Sequence, residues 1–171
     1  SVLIPAYNEG LVVEDTLRAL AAQDYPAESY EVLLINDASK DDTQEIADRM
    51  AAEFPVIRVV NVPKGQGGKG KSRTLNNGLK YAQGELIAVY DADSTPEPNC
   101  VRLIAQTLLA DSSLVAVNGK VRTRNWKDSA LSTFIAIEFI YFQWIFQGGR
   151  WLRFRLSTLM GTNYVIWRDA L

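Results

Sequence analysis

Two carboxylates stand two residues apart directly after the apolar run at residues 86–90. From an extended backbone, Asp91 and Asp93 would point the same way and could share a divalent cation and its water. A cation held there could neutralise a diphosphate leaving group. Alternatively, Asp91 would cap a turn, and Asp93 with Ser94 would begin an Asx-turn before Pro96. The D-x-D string alone does not decide between a metal site and a turn.

The segment at residues 65–72 is rich in glycine and lysine and fits a P-loop pattern. The apolar run that ends in Asp91 could then supply the strand and the magnesium-binding aspartate of an NTPase. The residues that match G-x-x-x-x-G-K-[ST] are Gly65, Gly70, Lys71 and Ser72.

The same segment allows two other interpretations. Gly65, Gly67 and Gly70 match the dinucleotide pattern G-x-G-x-x-G, although that pattern belongs after the first strand of a βαβ unit and this one follows the third. The segment could also be a flexible loop with solvated lysines. In each case the backbone N–H groups at a helix start, with basic side chains nearby, predict an anion site. These side chains are Lys69, Lys71 and Arg73.

Two further side chains have types suited to binding a nucleoside. Tyr7 offers an aromatic face on which a base could stack, or it is simply a loop tyrosine. Asp37 could hydrogen-bond a base or ribose, or could cap the next helix. Asp41 and Asp42 lie closer to that helix, which leaves Asp37 for another purpose.

The composition narrows the chemistry. The 171 residues include no histidine, so Ser-His-Asp and Cys-His catalysis and His-ligated zinc are excluded, and oxygen-ligated metals are favoured. The single cysteine, Cys100, cannot form an intrachain disulfide, which favours a reducing, cytosol-facing location. A formal net charge of -2 gives no reason to expect nucleic acid as a partner.

These residues need a scaffold, and the pattern predicts an α/β protein with a mostly parallel sheet. Strands are expected at residues 2–5, 32–35, 57–62, 86–90 and 114–118, and helices at 11–22, 43–54, 71–82 and 99–110. Side chains at the carboxyl ends of parallel strands meet at one edge of the sheet. We therefore expect the loops after the first four strands to converge.

The chain is expected to be one domain that is cut at both ends, because its pattern starts within a strand and stops at the expected opening of a helix. An aromatic segment from Leu131 to Phe146 is shorter than the roughly 20 residues that span a bilayer and is interrupted by Glu138, so no spanning helix is expected. We expect this helix to belong to the core, with a membrane-surface helix as the alternative.

Taken together, the four loops resemble those of the family 2 inverting glycosyltransferases, in particular the membrane-associated branch of cellulose, hyaluronan and poly-N-acetylglucosamine synthases. The resemblance rests on residues 2–9, 35–39, 70–79 and 91–93, and it covers essentially the whole chain. It implies a Rossmann-like GT-A fold, a nucleotide-diphospho-sugar donor and Mn²⁺ or Mg²⁺ as cofactor. Among possible donors, a UDP-sugar is favoured.

The resemblance also implies roles for individual residues. Asp93 would bind the metal, with Asp91 nearer the ribose and diphosphate. The donor-binding residues would be Pro5, Ala6, Tyr7, Glu9, Asp37, Lys71 and Asp91. The acceptor-side strand would follow Gly161, Thr162 and Asn163.

The resemblance is incomplete on the acceptor side. In this family the general base is an aspartate of a Glu-Asp motif, expected here after Leu171, so no catalytic residue is expected within the chain. The implied acceptor is a saccharide or a lipid-linked group, and the implied location is the cytoplasmic face of a membrane. The alternatives are a P-loop NTPase and a nucleotide-sugar-binding module without catalysis.

Overall fold

The computed structural model describes residues 1–63 and 65–171. Six strands form one sheet: β1 (Val2–Ala6), β2 (Val32–Asn36), β3 (Ile57–Asn61), β4 (Leu86–Val89), β5 (Ala116–Asn118) and β6 (Tyr164–Trp167). Their order across the sheet is β3-β2-β1-β4-β6-β5. The first four strands are parallel to one another, and β6 runs antiparallel to both of its neighbours. The predicted mostly parallel sheet is confirmed.

The helices are α1 (Val13–Ala21), α2 (Thr43–Glu53), α3 (Lys71–Leu79), α4 (Cys100–Ala110), α5 (Ala130–Ile140) and α6 (Gly148–Phe154). The predicted strands and first four helices are all present, with their ends shifted by at most a few residues. The central strands are apolar on both faces, as in a sheet covered by helices on both sides. One layer of core packs α1, α2 and α4 against β1 and β2, and the other places Leu75 and Leu79 of α3 against Leu33 and Ile35.

The aromatic segment differs most from its prediction. Seven π-helical residues, Tyr141–Gln147, join α5 to α6, so the helix runs without interruption over Ala130–Phe154, which is 25 residues. By length and composition this helix could cross a membrane, which the shorter apolar stretch had not suggested.

The expectation that this helix belongs to the core is wrong, because its apolar side chains face outward. Trp144 is 60% and Ile145 is 61% exposed, whereas Ser132, Gln143 and Gln147 are buried. The helix is therefore turned with its polar side chains toward the protein, opposite to a helix on a water-exposed surface.

Candidate donor site at the carboxyl edge of the sheet

Loops after β1, β2 and β4, together with the start of α3, enclose one cavity of about 460 Å³. All eight of the residues expected at the donor and metal positions line it: Pro5, Ala6, Tyr7, Glu9, Asp37, Lys71, Asp91 and Asp93. Four further residues, Gly68, Gly70, Thr74 and Ala92, complete the lining. The convergence expected from parallel strand ends is present in the structure.

The loops after β1 and β2 hold each other in place through hydrogen bonds from backbone N–H groups to side-chain oxygens. Asn8 N–H donates to Ser39 Oγ at 3.0 Å, and Asn8 Oδ1 accepts from Lys40 N–H at 2.8 Å. Glu9 N–H donates to Thr43 Oγ1 at 2.8 Å. These bonds fix the wall of the cavity that carries Tyr7 and Glu9.

Asp91 and Asp93 lie in a turn, which is one of the two backbone conformations that the sequence left open. Ser94 N–H donates to Asp91 C=O at 3.1 Å, which closes the turn. The C=O of Ala92 accepts from the buried Thr16 hydroxyl at 2.7 Å and anchors the turn on α1. Both carboxylates nevertheless face the same cavity.

Lys71 links three parts of the site at the start of α3. Its ammonium donates to the carboxylate of Asp91 and, at 2.7 Å, to the C=O of Gly161. The residue before it, Gly70, has φ +94°, a conformation that a side chain would strain. The helix start therefore presents a cation and backbone N–H groups toward the D-x-D turn, as an anion site requires.

Asp37 does not cap α2. Its Oδ2 accepts from Gly68 N–H at 2.9 Å, while Asp41 Oδ1 accepts from Thr43 N–H at 3.1 Å at the start of that helix. The structure thus favours a role for Asp37 within the cavity over the capping alternative.

The three residues expected on the acceptor side lie on the segment that enters β6. Gly161 C=O contacts Lys71, and Thr162 Oγ1 accepts from Asp91 N–H at 2.9 Å. Asn163 is buried and donates its N–H to Val89 C=O at 2.7 Å, outside the cavity lining. This segment therefore borders the D-x-D turn.

The site is rich in negative charge. Burial, together with the charges of Asp93, Asp41 and Asp91, raises the pKa of Glu9 above its usual value. Among the described residues, no group of three or more acidic or cysteine side chains is arranged as a ready-made metal site. Two aspartates fit Mg²⁺ or Mn²⁺ when substrate phosphates and water complete the ligand set.

Thr74 and Ala92 were not anticipated from the sequence. Thr74 lies one turn into α3 and bonds to the C=O of Gly70 at 3.2 Å, and Ala92 is the buried residue between the two aspartates. Thr74 follows Lys71 by three residues, a spacing that places two side chains on the same face of a helix. This spacing was the one sequence signal that could have indicated Thr74.

Comparison with known proteins gives a consistent assignment. The sequence model described as Glycosyl transferase family 2 matches residues 1–171. A probable glycosyltransferase of Bacillus subtilis (strain 168), YdaM, is 42% identical over 171 residues, covering all of this chain and 41% of the relative. The poly-beta-1,6-N-acetyl-D-glucosamine synthase of Staphylococcus epidermidis is 29% identical over 171 residues, covering 40% of that protein.

Among solved structures, the mannosyltransferase PcManGT from Pyrobaculum calidifontis, in complex with GDP-Man and Mn²⁺, superposes with a TM-score of 0.66 and 31% identity. The match covers 74% of this chain and 36% of that chain. The fold is GT-A, as predicted. The chain spans about two fifths of the length of these two relatives.

Proposed function

The chain belongs to glycosyltransferase family 2, and from that premise we propose that it forms the donor-binding part of an enzyme that moves a sugar from a nucleotide diphosphate to an acceptor hydroxyl. The observation that carries the proposal is the convergence of Asp37, Lys71, Asp91 and Asp93 on one cavity of about 460 Å³. Family membership sets aside the P-loop NTPase alternative for Lys71 and Ser72.

In this proposal the cavity binds both the nucleoside and the diphosphate of the donor. Tyr7 and Asp37 take the nucleoside, and the start of α3 with Lys71 takes the diphosphate, because an ammonium and helix N–H groups favour phosphate oxygens. The similar mannosyltransferase holds GDP-Man and Mn²⁺. Asp93, with Asp91, would hold Mn²⁺ or Mg²⁺, which would neutralise charge on the departing diphosphate.

We propose a single displacement that inverts the anomeric centre. The acceptor oxygen attacks the anomeric carbon on the face opposite the nucleotide, while the bond from that carbon to the diphosphate oxygen breaks. Lys71 stabilises the negative charge that develops on the diphosphate. The proton of the acceptor hydroxyl would pass to a carboxylate that follows residue 171 in the longer protein, as the family resemblance implies.

We also propose that the longer protein acts at the cytoplasmic face of a membrane, on a saccharide or lipid-linked acceptor. The support is the outward-facing apolar side of the helix Ala130–Phe154 and the basic residues near it. Arg150, Arg153 and Arg155 each lie over an aromatic ring, at 5.6, 5.3 and 5.2 Å from its centroid. Arginines beside exposed aromatic side chains suit the boundary between anionic head groups and acyl chains.

Calorimetric titration of the 171-residue protein with UDP, GDP and ATP, with and without Mn²⁺, tests the donor-site proposal. We expect binding of at least one nucleoside diphosphate that Mn²⁺ strengthens about tenfold or more, a change of roughly 1.4 kcal/mol. The variant Asp93→Asn should lose this metal dependence, whereas Asp15→Asn, an exposed aspartate on α1, should retain it. Tight binding of ATP, with no binding of UDP or GDP, would support the NTPase interpretation instead. Equal affinities for a nucleoside diphosphate with and without Mn²⁺ would contradict the metal assignment.

A further inference from the structure

A backbone hydrogen bond expected between β4 and β6 is replaced where the two strands reach the donor site. Asn163 N–H donates to Val89 C=O at 2.7 Å. A regular antiparallel ladder continued from this bond would pair Asp91 N–H with Gly161 C=O. In the structure, Asp91 N–H donates to Thr162 Oγ1 at 2.9 Å. A side-chain hydroxyl therefore takes the place of a backbone carbonyl.

The Gly161 carbonyl is open to another donor because Thr162 satisfies Asp91. It accepts from Lys71 Nζ at 2.7 Å. Lys71 is a long, exposed side chain, and this bond, together with the Asp91 carboxylate, orients its ammonium at the start of α3. An ammonium has three N–H donors, so Lys71 can keep Gly161 C=O and still donate to a diphosphate.

Two left-handed backbone conformations turn this segment away from a regular ladder. Gly161 has φ +81° and Asn163 has φ +52°. Glycine adopts this conformation freely, whereas asparagine does so at a cost that its surroundings must offset. Asn163 is buried, its Nδ2 donates to Lys120 C=O at 3.2 Å, and its C=O accepts from Gly119 N–H at 2.7 Å. These contacts hold Thr162 in place between the two left-handed residues.

We infer that Thr162 is a positioning residue of the diphosphate site. Its hydroxyl satisfies Asp91 N–H, which leaves Gly161 C=O to hold the Lys71 ammonium at the cavity. Thr162 acts through Lys71 and need not contact the donor. This inference rests on the proposed function, since it assumes that Lys71 binds the diphosphate. It gives Thr162 a role in donor binding, whereas the family resemblance implied a place on the acceptor side.

Removal of the hydroxyl should return the segment to a regular ladder. Thr162→Val replaces the hydroxyl with a methyl group of similar size, so Asp91 N–H turns to Gly161 C=O. Lys71 then loses one of the two partners that orient it. We expect the affinity for a nucleoside diphosphate to fall about three- to tenfold. The urea midpoint should stay close to that of the unmodified protein, because Asp91 N–H is paired again.

Calorimetry in the presence of Mn²⁺ measures this affinity with UDP or GDP, whichever the unmodified protein binds more tightly. Thr162→Ser retains a hydroxyl and should bind within about twofold of the unmodified protein. Thr107→Val is the matched control and should also keep the affinity, because Thr107 is exposed on α4 and its hydroxyl donates to Leu103 C=O within that helix. If Thr162→Val does not fold, Thr162→Ala removes the same hydroxyl without a branched side chain.

A double-mutant cycle tests whether Thr162 acts through Lys71. Lys71→Met removes the ammonium and keeps an unbranched side chain, so it should itself weaken diphosphate binding. In that background, Thr162→Val should change the affinity by less than about twofold, because Gly161 C=O has no ammonium left to orient.

Three results would overturn the inference while the proposed function stands. They are an unchanged affinity in Thr162→Val, an equal loss of affinity in Thr162→Ser, and a full further loss when Thr162→Val is added to Lys71→Met. If the unmodified protein binds neither UDP nor GDP, the proposed function is overturned and the inference with it.

Discussion

The Lys71 ammonium lies against the Asp91 carboxylate and the Gly161 C=O, so these groups satisfy one another before any diphosphate enters. Both side chains of the pair are 40% exposed, and an ion pair at this level of exposure contributes little to folding. Its consequence is local. A diphosphate would compete with Asp91 for Lys71, and a cation would compete with Lys71 for Asp91, so the two ligands should favour each other's binding.

Glu9 leads to a prediction about pH at the residue scale. Burial and neighbouring carboxylates raise its pKa in the folded protein above the ordinary 4.5. The folded state then binds more protons than the unfolded state just above pH 4.5, so the ionised Glu9 lowers stability as pH rises through this range. Glu9→Gln should therefore unfold at higher denaturant concentration than the unmodified protein at pH 7, with no such gain at pH 4.

Urea unfolding at the two pH values, without divalent cation, measures this effect. Asp48→Asn serves as the control, because Asp48 is an exposed carboxylate on α2, outside the cavity. An equal shift of Glu9→Gln at both pH values would contradict the electrostatic account.

Two glutamines fasten the aromatic helix to the rest of the protein. Gln143 pairs with both backbone groups of Val121, at 2.7 and 2.9 Å, and Gln147 pairs with both backbone groups of Thr158, at 3.2 and 3.0 Å. They lie four residues apart in the π-helical stretch and face the same side. Thr158 begins the segment that reaches Gly161 at the donor site, so the helix is tied directly to the border of the cavity.

Removing the second of these glutamines is the prediction at the element scale. Gln147→Ala leaves the N–H of Thr158 without its partner, while the C=O of Thr158 still accepts from Asn118 Nδ2 at 3.1 Å. We expect the change to destabilise the protein by about 0.5–1.5 kcal/mol. Amide hydrogen exchange around Thr158 should become faster. Gln106→Ala, an exposed glutamine on α4, should change neither quantity. Unchanged stability and exchange in Gln147→Ala would mean that the apolar contacts of the helix hold it without the glutamine.

The whole molecule has an uneven distribution of charge. Residues 119–155 include seven basic side chains (Lys and Arg) and two acidic ones (Asp and Glu). The remaining residues include 11 basic and 18 acidic side chains. The basic region coincides with the exposed apolar helix, while the acidic remainder includes the cavity. This asymmetry favours one orientation at an anionic surface, with the helix side toward the lipid.

A vesicle experiment tests this orientation at the scale of the molecule. The 171-residue protein should co-sediment with vesicles that contain anionic lipid. A smaller fraction should co-sediment with neutral vesicles, and high salt should reduce the fraction bound to anionic vesicles. Trp144→Glu should weaken binding severalfold by placing a charge on the apolar side of the helix. Leu11→Glu, a fully exposed apolar position away from the helix, should not. Equal binding of these two variants would locate any lipid contact elsewhere.

The sequence by itself determined the α/β class and the approximate positions of the strands and first four helices, because alternating apolar runs and helical periods are local signals. It also determined which residue types would meet at the carboxyl edge, since the order of parallel strands and their loops follows from the chain. Tyr7, Asp37, Lys71 and Asp93 were singled out in this way and Pro5 through the family resemblance, and all five line the cavity. Their roles in binding donor and metal stay predictions.

The tertiary structure decided what depends on contacts between distant residues. The hydrogen bond from Gly68 to Asp37 spans 31 residues, and that from Lys71 to Gly161 spans 90, so no local pattern encodes either one. The D-x-D backbone could equally be extended or turned, and the anchoring of Ala92 on Thr16 gives the turn. The segment Ala130–Ile140 is apolar on all sides, so its periodicity could not assign a buried face, and the inward glutamines that follow decide it.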